Sequence, residues 1–157
     1  MFRVPVDSLE DYLDFDPERK PDLVKLDKLI AKSAPALKRY FHEGTPAGEP
    51  GMRMKMIGYG KIRYAIKSEQ FVDWPAIGVA LQKNYISVYM SVTRAGEPLV
   101  NAYAGKLGEL RMGSNNFSFV RFDDLECSAL SSLFAEADSM FRSDLENPDR
   151  HRQGVEG

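Results

Sequence analysis

Cysteine is nearly absent: Cys127 is the only one, so no intrachain disulfide and no cysteine-based zinc cluster can form. Histidine is scarce as well, with only His42 and His151. A serine or cysteine nucleophile needs a base beside it, and His151 falls in a polar stretch, so the expectation leans away from an enzyme. No run approaches the ~20 apolar residues of a membrane span, and Met1-Phe-Arg-Val-Pro-Val-Asp7 lacks the apolar stretch of a signal peptide. The expectation is a cytoplasmic protein with no membrane partner. Neither charge dominates, with 21 Lys+Arg against 23 Asp+Glu, which argues against a general electrostatic grip on nucleic acid. Gly60-Lys61 and Gly105-Lys106 lack the preceding glycine and the following Ser/Thr of a phosphate loop, and no dinucleotide fingerprint is present.

What is present suffices for an ordinary core. With 157 residues, 43% of them hydrophobic, the chain fits a single domain over 1–146 with a polar tail over 147–157. Asp7-Ser-Leu-Glu10 has the form of a helix capping box. Leu9, Tyr12 and Leu13 then share a helical face, and Asp16-Pro17-Glu18 restarts a helix whose stripe is Leu23, Leu26 and Ile30. A further helical turn is expected from Ala36 to His42. Five of the eight residues from Gly44 to Gly51 are Gly or Pro, which marks a loop. A short helix is expected from Pro98 to Leu107 and a strand from Phe117 to Phe122. Asp123-Asp-Leu-Glu126 is a second capping box before Leu130, Leu133, Phe134, Ala137 and Phe141, the stripe of an amphipathic helix.

From Met52 the hydrophobic period changes to two, and it resumes after Gly58-Tyr-Gly60 as Ile62, Tyr64 and Ile66. This reads as one bent strand or two short ones, with the glycines at a bulge or turn. With Lys83-Asn84 as a two-residue hairpin turn, Leu81 opposes Ile86, Val79 opposes Val88 and Ile77 opposes Met90, all on one apolar face. The other face then pairs Gln82 with Tyr85, Ala80 with Ser87, Gly78 with Tyr89 and Ala76 with Ser91. A slip of one residue would scramble both faces, so the pattern specifies the register. The resulting fold class is α+β: an antiparallel sheet of about four or five strands, with N- and C-terminal helices packed mainly on one face.

The second sheet face carries the candidate site. Tyr59, Lys61 and Arg63 at odd positions are expected beside Tyr85 and Tyr89, with Ala76, Gly78 and Ala80 too small to fill the pleat. Gln82 and Lys83 flank the turn. Such a groove suits a small anionic or aromatic ligand, or a protein partner. The alternative is a plain solvent face, or one covered by the 98–107 helix. Trp74 is expected as an anchor into the core ahead of the hairpin and, with Tyr59, Lys61, Arg63, Gln82, Lys83, Tyr85 and Tyr89, as a candidate ligand-binding residue; Cys127 is expected as a buried thiol. His42 reads as a surface residue at the loop entrance. Asp7, Glu10, Asp11 and Asp14 recur at i, i+3, i+4, i+7; this is the usual solvated acidic face of a helix, or weak oxygen ligands for a hard cation.

The run from Trp74 to Tyr89, above all Gln82-Lys-Asn-Tyr-Ile-Ser-Val-Tyr89, resembles the YdhG-like family of domains of unknown function, often labelled frataxin-like iron chaperones. Gly58-Tyr-Gly-Lys-Ile-Arg-Tyr64 and Gly105-Lys-Leu-Gly108 fit the same family. The resemblance implies a compact α+β domain and, through the label, an intracellular iron-binding role for the acidic first helix. It supplies no ligand motif that can be transferred residue by residue. Three functions therefore stand as expectations: a binding protein using the tyrosine face, an iron carrier, and an interaction domain or homodimer whose tyrosine face is the interface.

Overall fold

The computed structural model describes residues 2–46, 52–67 and 70–146, with the side chains of 64–70 and 144–146 outside that description. The tip of the expected glycine-proline loop, the expected tail and His151 lie outside the described residues. Helix α1 (Leu9–Asp14) and helix α2 (Lys20–Ser33) lead into strands β1 (Arg39–His42), β2 (Met56–Lys67), β3 (Gln70–Leu81) and β4 (Ile86–Met90). A small ribbon, β5 (Thr93–Arg94) and β6 (Glu97–Pro98), and a 3₁₀ turn (Leu99–Tyr103) precede β7 (Arg111–Met112), β8 (Asn116–Phe119) and helix α3 (Cys127–Glu146). The main sheet has six strands in the order β1-β2-β3-β4-β8-β7, and every pairing is antiparallel.

The fold class is as expected, with a larger sheet. Two short strands account for the difference. Arg39-Tyr-Phe-His42 is a strand rather than a helical turn, consistent with the fit of its two aromatics to a pleated edge. The two residues of β7 are too few for any alternation to show. The first helix is capped by Ser8, whose hydroxyl accepts from the Asp11 amide at 3.1 Å, one residue later than the expected Asp7.

The hairpin register is the one the alternation requires: Ile77 faces Met90, Gly78 faces Tyr89, Val79 faces Val88, Ala80 faces Ser87 and Leu81 faces Ile86. The Gln82 amide donates to the Tyr85 carbonyl at 2.9 Å and closes the Lys83-Asn84 turn. One sheet face, with Ile57, Ile77, Val79, Val88 and Phe117, shares a continuous core with Leu23, Leu26 and Ile30 of α2 and Leu130, Leu133, Phe134, Ala137 and Phe141 of α3. Cys127 sits at the first position of α3 and is exposed, so the buried thiol is not found; the stripe that enters the core begins three residues later. The 3₁₀ turn places Leu99 and Val100 in the helix-side core, and so does not cover the opposite face.

Gly60 is where β2 changes character. Its φ of +73° is a left-handed conformation that an L side chain resists, and it inverts the in-out alternation. Ile57 and Tyr59 face the core before it, whereas Ile62 faces the core and Lys61 and Arg63 are exposed after it. The far half of the β2–β3 hairpin, 61–67 and 70–75, is thereby bent into an arm that reaches beside β1. Of the two expected readings, one bent strand or two short ones, β2 is a single strand.

Candidate functional site

The helix-free face of the sheet carries Met56, Gly58, Gly78, Ala80, Ser87 and Tyr89, flanked by Tyr40 and His42 of β1 and by Ser118 of β8. Among the described residues no helix covers it, yet Met56, Ala80 and Ser87 are buried. Large neighbours lie flat over the small ones. The Tyr40 ring lies over Gly58, where an added Cβ would meet two ring carbons at 2.6 Å. The Ser87 and Ser118 hydroxyls pair at 2.8 Å. The pleat left by the small residues is thus largely filled, and among the described residues a cleft lies on either side of it.

The first cleft, about 350 Å³, runs between β1 and the bent arm and is lined by Tyr40, His42, Glu43, Thr45, Lys61, Phe71, Val72 and Asp73 among others. The Lys61 ammonium stands 4.7 Å from the centroid of the Tyr40 ring, a cation–π contact. Among the described residues Lys61 has no carboxylate partner. Arg63 ion-pairs with Asp73 at 3.1 Å and lies over the exposed Phe71 ring at 5.9 Å. His42 meets the Tyr40 ring edge-on at 6.4 Å. Its Nε2 is 3.1 Å from the Met52 carbonyl, which also accepts from the Thr45 amide at 2.8 Å. In the neutral ring the proton therefore sits on Nε2, leaving Nδ1 as an acceptor. Burial holds the His42 pKa below its ordinary value despite the Met52 bond, and the nearby Lys61 charge adds to the lowering. Burial likewise pushes the Tyr40 phenol up, reinforced by the Asp73 charge; its hydroxyl is buried with no hydrogen-bond partner among the described residues.

The second cleft, about 290 Å³, lies at the other end of the sheet and is lined by Tyr85, Glu109, Leu110, Arg111, Ser118, Phe119, Val120 and Asp124. Between the clefts sits Tyr89, half-buried, its pKa raised by burial, with Ser87 and Gln82 at its hydroxyl.

The expected site residues are therefore divided. Lys61 lines the first cleft and Arg63 sits beside it; Tyr85 lines the second; Tyr89 and Gln82 lie between; Lys83 is exposed in the turn. Tyr59 is not on this face at all. It points into the core opposite Ile77, and its hydroxyl donates to Asp27 at 2.6 Å; Asp27 also accepts from Arg39 at 2.7 Å. The odd-position rule that joined it to Lys61 fails because Gly60 inverts the alternation. Ala76 joins the core side for a related reason, since it and Ile77 are both buried in the helix-side cluster. Trp74 lies within β3 opposite Ile62, half-buried and outside the core cluster, rather than anchoring the core ahead of the hairpin.

Two of the four acids near α1 meet lysines. Asp7 approaches Lys55 at 3.4 Å, Asp14 pairs with Lys20, and among the described residues no three His, Cys, Asp or Glu side chains converge as a metal-ligating set. Among the described residues no helix is long and apolar enough to cross a membrane. Tyr40, His42 and Phe71 were not singled out as ligand contacts from the sequence; the alternation of Tyr40 and His42 was the available signal, masked by the brevity of β1. Compared with protein-family models, curated proteins and solved structures, the chain matches none, so the YdhG-like resemblance rests on the quoted residues alone.

Proposed function

We propose that this chain is a non-catalytic binding protein whose site is the cleft between β1 and the bent β2–β3 arm, and that it takes a small aromatic carboxylate. One observation carries the reading: the Lys61 ammonium is held against the Tyr40 ring at the cleft wall without a carboxylate partner among the described residues. A cation positioned by an aromatic face and left unpaired favours an incoming anion. Phe71, 51% exposed at the rim, offers apolar area that a flat ring would cover.

A ligand of nine heavy atoms such as benzoate should bind with a dissociation constant on the order of 1 mM, about −4 kcal/mol. Calorimetry with benzoate, cyclohexanecarboxylate and benzylamine tests this. Benzoate should bind most tightly, cyclohexanecarboxylate more weakly and benzylamine not at all. Lys61→Met should weaken benzoate by about tenfold or more, the worth of one charge-assisted hydrogen bond. Benzylamine binding as well as benzoate, or benzoate binding unchanged in Lys61→Met, would overturn the reading.

A further inference from the structure

The second cleft is independent of the first and carries a different charge pattern. Its apolar lining comes from Tyr85, Leu110, Phe119 and Val120. Tyr85 and Val120 are 37% and 62% exposed, so two of the few large hydrophobic side chains left open to water in the described residues stand at one place. Around them are two carboxylates, Glu109 and Asp124, and one guanidinium, Arg111. Among the described residues none of the three takes part in an ion pair. Backbone hydrogen bonds brace the loops that present them: the Glu109 amide donates to the Asp124 carbonyl at 3.0 Å and the Glu126 amide to the Leu107 carbonyl at 2.9 Å. Arg111 stands across from Ser118 in the β7–β8 pairing.

A simple cation would leave Arg111 unanswered, and a simple anion would face two carboxylates. A ligand carrying both charges beside an apolar group satisfies all three. The volume, just below the range of drug-sized pockets, limits that ligand to about a dozen heavy atoms.

We propose that this cleft binds a free α-amino acid with an apolar side chain. The α-ammonium meets Glu109 and Asp124, the α-carboxylate meets Arg111, and the side chain covers Tyr85, Leu110 and Val120. Charge-assisted contacts at the edge of an apolar floor are stronger than the same contacts in open water.

Amide-resolved NMR titration of the full chain tests it, with L-phenylalanine, its amide and its N-acetyl derivative as probes. The amide mimics a peptide N-terminus and the N-acetyl derivative a peptide C-terminus. L-phenylalanine should shift the amides of Leu110, Arg111 and Val120 and bind at least about tenfold more tightly than either derivative, since each has lost one charged contact. In Arg111→Met, L-phenylalanine should fall to the level of its amide. In the Glu109→Gln, Asp124→Asn double variant it should fall to the level of the N-acetyl derivative. Equal binding of either derivative would make this a peptide-end site and overturn the proposal. Shifts confined to Tyr40, Lys61 and their neighbours, or no shifts with any probe, would overturn it as well.

Discussion

Replacing Gly58 with alanine tests how the helix-free face is filled. Gly58 is not among the glycines with positive φ, so alanine costs nothing in backbone strain and gains about 0.4–1 kcal/mol by restricting the unfolded chain. Against this, the new Cβ meets two carbons of the Tyr40 ring at 2.6 Å, where ordinary contact begins at 3.4 Å. The ring must retreat by the difference, about 0.8 Å, away from the neighbours that bury it, and overpacking of that kind costs about 1–3 kcal/mol. The expected net is a loss of about 1–2 kcal/mol, which lowers Tm by about 2–8 °C for a domain of this size. Urea unfolding of Gly58→Ala, of Tyr40→Leu and of the double variant measures the coupling directly. With the ring gone, the alanine should be neutral or stabilising, giving an interaction energy of at least about 1 kcal/mol. The same loss in both backgrounds would show that the strain comes from somewhere other than Tyr40. A gain from Gly58→Ala in the native background would show that the ring does not rest on Gly58.

Tyr59→Phe should cost about 1–3 kcal/mol in urea unfolding, because the partly buried Asp27 loses a donor at 2.6 Å; an unchanged midpoint would mean that Arg39 alone satisfies the carboxylate. Ala95 holds a φ of +54° beside Gly96 at +80° in the two-residue turn between β5 and β6. Ala95→Asn should raise stability by about 0.5–1 kcal/mol, read as a rise in Tm, because asparagine tolerates that conformation better. His42 has a folded pKa below its ordinary 6.5, so the unfolded chain binds the proton first. Its contribution is complete above pH 6.5 and is lost as pH falls through that value toward the folded one. Tm of the native chain should therefore drop more steeply than that of His42→Gln below pH 6.5; parallel curves would show that the ring titrates as it does in water.

The β3–β4 hairpin was readable from the residues alone because both faces of a short, regular pairing constrain it at once: apolar partners had to meet on one side and small residues had to meet tyrosines on the other. The stripe of α3 was readable for the same reason, with five apolar positions at helical spacing. Tyr59 was not, because alternation extrapolated through Gly58-Tyr-Gly60 assumes that one in-out rule holds along the whole strand, and one left-handed residue between Tyr59 and Lys61 puts these two odd positions on opposite faces. The clefts were hidden for a related reason. They lie between segments distant in the chain, Tyr40 with Phe71 and Tyr85 with Arg111, and no local period relates such residues. Lys61 and Tyr85 line separate clefts rather than the one groove that the alternation suggested.

The bent arm also bears on how the protein behaves in a crowded solution. Beyond Gly60, residues 61–67 of β2 have no β1 partner and residues 70–75 of β3 have no β4 partner, so among the described residues neither margin of this two-stranded ribbon carries a further strand. Bare margins of this kind invite strands from other molecules to add on and grow into aggregates. Here Pro75 presents no amide on one margin, while the Ser91 hydroxyl occupies its carbonyl at 2.8 Å. Lys61 and Arg63 set positive charge along the other strand. A stray strand would meet charged side chains on one margin and a missing donor on the other, the devices by which exposed edges resist strand addition.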